Sequence, residues 1–158
     1  MDFYSVRPEV VAVISKVDHN AIKFNQVSIT VISTAALLAN LPHLAGLLGL
    51  VLAVATARPD WGLFRILYQR VVLPLRWLRP NVLDDDPAPH RFSQGVGAAF
   101  LVSAWIALAS GAAVLGWVLV ALVAVLAMVN VVFDFCAGCF VYYQLRRFGL
   151  IGRTAPQE

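Results

Sequence analysis

The sequence predicts an all-α integral membrane protein: four transmembrane helices in two hairpins, related by a parallel internal repeat, with an amphipathic helix on the cytoplasmic face between them. Three observations predict it. Of the 158 residues, 60% are hydrophobic and only 13% are charged, where a soluble domain averages about 45–50% and about 25%; the mean hydropathy is +0.77. A chain of this size cannot enclose so much apolar surface in one core. The charges leave two long gaps, 34 residues from Phe24 to Ala57 and 42 from Phe92 to Phe133. All 12 Lys and Arg lie outside those gaps. A soluble enzyme, a nucleic-acid-binding domain and a disordered segment fit this composition poorly. The partner expected is the lipid bilayer, and nucleic acid is not.

Each gap is too long for one crossing, which takes about 20 helical residues, and fits two. Backbone polar groups in lipid must be satisfied internally, so each gap is helical except for a turn at the far surface. In the first gap the turn falls at Asn40-Leu41-Pro42-His43, because proline removes a donor and asparagine tolerates unusual dihedrals. In the second it falls at Ser110-Gly111. The helices are expected at about 24–40, 43–58, 92–110 and 113–135. A soluble bundle would need a polar stripe on each helix, yet between Leu44 and Ala57 the only polar side chain is Thr56.

Orientation follows from Lys and Arg. Arg7, Lys16 and Lys23 precede the first helix, six arginines from Arg58 to Arg91 separate the second from the third, and Arg146, Arg147 and Arg153 follow the fourth. The positive-inside rule then places both termini and segment 58–91 in the cytoplasm. Residues 1–22 are expected as a cytoplasmic or interfacial segment, 23–148 as the membrane domain and 149–158 as a cytoplasmic tail.

Between the hairpins, Trp61, Phe64, Tyr68, Val71, Leu75 and Leu78 recur at helical spacing. Arg65, Gln69, Arg76 and Arg79 share the opposite side. This predicts an interfacial helix over about 61–79, kinked at Pro74, with Arg65, Arg76 and Arg79 as its membrane-surface basic residues. Asp84-Asp85-Asp86-Pro87-Ala88-Pro89 is expected as a solvated loop capping the third helix. The three aspartates lack the spaced frame of a calcium loop.

The two halves share a pattern. Lys23-Phe24-Asn25-Gln26 matches Arg91-Phe92-Ser93-Gln94, and Asp60-Trp61 with Tyr68 matches Asp134-Phe135 with Tyr142. The repeat implied has its axis along the membrane normal. In that alignment Gly62 and Arg65 stand where the second half has Cys136 and Cys139, so one half alone carries thiols.

Those are the two cysteines of the chain, in Cys136-Ala137-Gly138-Cys139. On a helix, positions three apart share a face. The pair is expected at the C-terminal, cytoplasmic end of the fourth helix, where the dipole opposes a thiolate unless Arg65, Arg146 or Arg147 folds back. The cytosol disfavours a permanent disulfide, and a cytosolic C-x-x-C is more often redox-active or metal-binding. No His follows Cys139, which removes covalent haem. A structural zinc needs four ligands; His19, His90 and Asp134 are scattered, with no second motif, so neither metal nor cofactor is expected. Two small residues packed in a helix interface are the competing reading. Cys139, expected as the more exposed thiol, would attack.

Polar groups within membrane helices are candidate functional groups. Here they are Asn25, Gln26, Gln94, Asn130 and Asp134. Asn130 is expected to bond to Ser28, Thr30 or Ser33, and Asp134 to pair with Lys23 or Arg91.

Val17-Asp18-His19-Asn20 with Phe24-Asn25-Gln26, Phe64-Arg65 with Tyr68, Arg91-Phe92-Ser93-Gln94, and Phe135-Cys136-Ala137-Gly138-Cys139 with Tyr142 occur together. Over roughly residues 15–150 the chain resembles the bacterial integral-membrane family DUF4395, whose name records an unknown function. The resemblance implies a bacterial cytoplasmic membrane. It also implies thiol or sulfur chemistry near thioredoxin-like and rhodanese-like proteins, carried by Cys136 and Cys139. The first functional expectation is a cytoplasmic-face dithiol that exchanges electrons or sulfur with a soluble thiol protein. The alternatives are a homo-oligomeric transporter or channel component for a small sulfur-containing solute, and a non-catalytic membrane anchor.

Overall fold

The computed structural model of the chain describes residues 15–76 and 81–149. They are mostly helical, joined by one short ribbon of two strands. β1 (Ser15–Asp18) pairs antiparallel with β2 (Val82–Asp85), with Lys16 opposite Asp84 and Asp18 opposite Val82. The ribbon was not expected: four residues a side, half of them charged, carry no alternating apolar signal.

α1 spans His19–Leu38. It starts ahead of the expected 24 because Asp18 is an N-cap, its Oδ1 accepting from the Asn20 N–H at 3.0 Å. The same oxygen accepts from the Asn81 N–H at 3.1 Å. α4 (Pro87–Ala109) likewise starts early. Asp86 caps it through the Ala88 N–H at 2.9 Å, and Pro87 sits where a helix leaves N–H groups unpaired anyway. The solvated loop expected over 84–89 is therefore the end of β2 and the first turn of α4.

Asn40, at φ +54°, separates α1 from α2 (Pro42–Ala57), and Gly111, at φ +88°, separates α4 from α5 (Ala113–Phe133). After α2 comes a 3₁₀ turn, Pro59–Trp61, then α3 (Leu63–Leu67) and a π turn, Tyr68–Val72. Among the described residues the helix expected over 61–79 is not one regular α-helix: it passes from α3 into the π turn at Tyr68. Tyr68 is buried, the Leu73 N–H reaches back to the Tyr68 carbonyl at 3.0 Å, and Arg76 takes φ +53°. Pro74 offers no N–H to carry the helix on. The winding takes Arg65 and Arg76 out of α-helical register with each other; Arg79 lies outside the described residues.

α2 packs along α4, and α1 along α5. Backbones approach closely at small residues: a Cβ on Gly46 of α2 would come within 2.6 Å of Trp105 on α4. Ala36, Ala45, Leu52, Leu101, Ala104 and Val120 fill the core. Large apolar side chains such as Val31, Ile106, Val118 and Val125 face outward. α1, α4 and α5 are long and apolar enough to cross a membrane; α2, also apolar, has 16 residues.

Polar ties mark the two ends of the bundle. Lys23 Nζ meets Asp134 Oδ1 at 2.8 Å, and Arg91 Nη2 donates to the Thr56 carbonyl at 2.9 Å. The starts of α1 and α4 thus lie beside the ends of α5 and α2. At the opposite end Trp105 Nε1 donates to His43 Nδ1 at 3.4 Å.

Candidate functional site

The fourth long helix was expected to carry the cysteines at its C-terminal end. It stops at Phe133, and Asp134 takes a left-handed conformation, φ 52° and ψ 23°. Aspartate tolerates this region better than most residues. The chain turns there and a new helix begins, α6 (Ala137–Arg147), with Cys136 as its N-cap. The pair therefore sits at a helix N-terminus. The unpaired N–H groups and the positive end of the dipole now favour negative charge on sulfur, the reverse of the expectation. The Cys139 N–H points at Cys136 Sγ, 3.2 Å away.

The two sulfurs are joined as a disulfide. Cys139 is buried and Cys136 half-buried, which corrects the expectation that Cys139 is the more exposed. Gly138 fixes the depth of the pair. A Cβ there would overlap Ser93 Oγ and Cβ, and would stand 2.9 Å from Ser93 Cα on α4. Glycine thus lets the first turn of α6 lie on the backbone of α4.

That contact brings in side chains far away in sequence. Ser93 Oγ is 3.3 Å from Cys136 Sγ; with the sulfurs joined, the hydroxyl is the donor. His90 Nδ1 is 3.7 Å from Cys139 Sγ. The other ring nitrogen of His90 is 3.8 Å from Asp85 Oδ2, at the end of β2. The same oxygen is 3.3 Å from His19 Nε2, and the rings of His19 and His90 meet edge to face. Cys139, His90 and Asp85 form a line of sulfur, imidazole and carboxylate, with the acid placed to orient the ring.

The other predicted residues divide between this site and its surroundings. Gln26, Gln94 and Asn130 line a cleft that Cys136, Ser93 and Gly138 also line. Asn25 lines an adjoining cleft with Gln26, Gln94, His90, Arg65 and Arg91. Asp134 turns away to Lys23. The bond expected from Asn130 to a hydroxyl on α1 does not form: Ser28 donates to the Phe24 carbonyl at 2.8 Å and Thr30 to the Gln26 carbonyl at 2.9 Å, while Ser33 Oγ is buried without a partner among the described residues. α1 satisfies its own hydroxyls through its preceding turn. None of the arginines expected to fold back reaches the sulfurs in the described contacts. Arg146 pairs with Asp86 at 3.8 Å and Arg65 with Asp60 at 3.6 Å.

Sequence reasoning missed the roles of Ser93, Asp85 and Gly138, and weighed His90 only as a scattered ligand. The available signal was the spacing from His90 to Ser93, one helical turn. No curated protein and no solved structure matches the chain. The family model described as a domain of unknown function, DUF4395, matches residues 17–147. That span takes in every residue of the site, and the chain belongs to the DUF4395 family.

Proposed function

We propose that the protein is a membrane-embedded dithiol that exchanges its disulfide with a thiol protein at the membrane surface. The observation that carries this reading is the position of Cys136–Cys139 at the N-terminus of α6 with His90 beside the second sulfur. A cysteine at a helix N-terminus is poised as a thiolate, and Cys136 is the more exposed of the two. In the oxidising direction a partner thiolate attacks Cys136 Sγ. The S–S bond breaks and Cys139 leaves as a thiolate, which takes up a proton from solvent by way of the His90 ring beside it. The second thiol of the partner then displaces Cys136 from the mixed disulfide. The partner leaves oxidised, and this chain holds two thiols. In reverse, His90 accepts the Cys139 proton as that thiol resolves the mixed disulfide.

In this reading α1, α4 and α5 cross the membrane and so does the shorter α2, with about 24 Å of helix at 1.5 Å per residue. In this reading both termini, and with them the dithiol, lie on the cytoplasmic side of a bacterial inner membrane; the Lys and Arg pattern supports the side, and the family resemblance supports the membrane. The partner is then a soluble cytosolic protein of thioredoxin-like or rhodanese-like chemistry. An internal repeat is supported by matched contacts: Phe24 on Tyr68 at 5.8 Å and Phe92 on Tyr142 at 5.5 Å, with Asp18 and Asp86 as equivalent N-caps. The first half has Gly62 and Arg65 in place of the thiols, so the exchange chemistry belongs to one half.

The test is trapping in the native membrane. Cys139→Ser accumulates a mixed disulfide through Cys136, seen on non-reducing gels and lost with reductant. Cys136→Ser does not. Failure of both variants to trap any adduct, or trapping through Cys139 alone, overturns the assignment.

A further inference from the structure

We propose that the reduced site is also a metal site: Cys136, Cys139 and His90 bind one Zn²⁺-class ion through two thiolates and one imidazole, with the fourth position open to an exogenous ligand. The spacing of the cysteines alone supplied two ligands. Folding adds the third from 49 residues away.

One ligand atom from each of the three residues lies within 4.8 Å of the others. Zinc binds sulfur at about 2.3 Å and nitrogen at about 2.0–2.1 Å, so a tetrahedral S···N edge is about 3.6 Å. His90 Nδ1 stands 3.7 Å from Cys139 Sγ. Once the pair is reduced, rotation about the Cys136 side chain opens the sulfurs to the separation a tetrahedron needs. The Cα atoms, 5.1 Å apart, need not move.

The surroundings are those a bound ion uses. A ligating histidine hands its other nitrogen to a carboxylate, which fixes the ring and raises its basicity. His90 Nε2 faces Asp85 Oδ2 at 3.8 Å. The Cys139 N–H and the Ser93 hydroxyl both lie within hydrogen-bonding range of Cys136 Sγ, at 3.2 and 3.3 Å. Soft thiolates with imidazole select zinc-like ions over magnesium or calcium. Two thiolates balance the charge of a divalent ion, and binding releases the two thiol protons.

The fourth position has no protein candidate among the described residues. Asp134 is held by Lys23 and Asp86 by its own helix and Arg146, and His19 is outside the cluster of three, its Nε2 facing Asp85 Oδ2 at 3.3 Å. Three protein ligands with an open position are the pattern of sites that act on or pass a ligand, rather than of structural zinc. Metal and disulfide exclude each other, since both use the same two sulfurs.

The experiment is an anaerobic Co²⁺ titration of the reduced, detergent-solubilised full-length chain. The expected result is one Co²⁺ per chain, with thiolate charge-transfer absorption and the visible bands of a tetrahedral ion, displaced by one equivalent of Zn²⁺. The disulfide form binds none. Asp85→Asn weakens binding about tenfold, the usual loss for an outer partner, and His90→Ala weakens it more. X-ray absorption of the zinc-loaded wild type reads the ligands without relying on any variant, and should show two sulfurs and at least one imidazole. Absence of thiolate bands, or a zinc shell with sulfur but no imidazole, overturns the proposal. The disulfide-exchange reading stands or falls separately on trapping of the mixed disulfide.

Discussion

His90 Nδ1 lies 3.7 Å from Cys139 Sγ, so an imidazole stands beside the buried sulfur of the pair. A positioned acid–base group contributes about 10²–10⁴-fold to a proton transfer. His90→Ala is therefore expected to slow closure of the Cys136–Cys139 disulfide by about 10²-fold or more, while alkylation of Cys136 in the reduced protein changes little. Stopped-flow exchange with a small aromatic disulfide separates the two steps. Equal slowing of both would place His90 in the fold rather than in the chemistry.

Gly138→Ala tests how the site is held. The new Cβ runs into Ser93 on the backbone of α4, so α6 must move outward. Overpacking of this kind costs about 1–3 kcal/mol. The loss should appear in denaturant unfolding, and Cys139 should become accessible to alkylation. A variant with wild-type stability and a protected Cys139 would contradict this account of the glycine.

Asp134 carries a backbone strain that a different residue would relieve. Its φ is 52°, a region glycine occupies freely. Asp134→Gly gives up an exposed ion pair with Lys23, worth about 0–1 kcal/mol, and gains back left-handed strain of about 1–2 kcal/mol. Stability should stay level or rise. Asp134→Val, β-branched at the same φ, should lower it by at least about 1 kcal/mol. Thermal unfolding of the pair in one detergent reads both signs, and the opposite order would remove the strain argument.

Tyr68 supplies a pH test. Burial raises its phenol above the ordinary value near 10, and the negative charge of Asp18 adds to the rise. The unfolded chain loses this proton at about pH 10, while the folded chain still holds it. Between those points the folded state binds more protons, so stability falls as pH rises. Phenolate absorbance should show late-ionising tyrosines, Tyr68 and Tyr143, with the late amplitude reduced by one tyrosine in Tyr68→Phe. A titration unchanged by the substitution would refute the burial argument.

Much of the architecture was legible in the sequence because its signals are local. The uncharged runs require apolar helices whatever the rest of the chain does. Asn40-Leu41-Pro42 and Ser110-Gly111 break those helices through the dihedrals and missing donor of the residues themselves. The helix starts were misjudged for an equally local reason, since Asp18 and Asp86 are N-caps and Pro87 belongs in a first turn. At 61–79 the apolar spacing is helical, but burial of Tyr68 and the ring of Pro74 override it.

The sequence by itself determined an apolar helical chain, two of its turns and a paired-cysteine motif. Only the tertiary structure decided what that motif can do. The apolar run of α5 continues past Asp134 into Phe135, so nothing in the hydropathy marks the left-handed residue that ends one helix and starts another. That one residue moves the cysteines from the negative end of a helix to the positive end. The partners of the pair, His90 and Ser93 from α4 and Asp85 from a four-residue strand, arrive through contacts of long sequence separation. Periodicity and spacing describe neighbours along the chain, and the groups that surround these sulfurs become their neighbours only when α6 packs on α4.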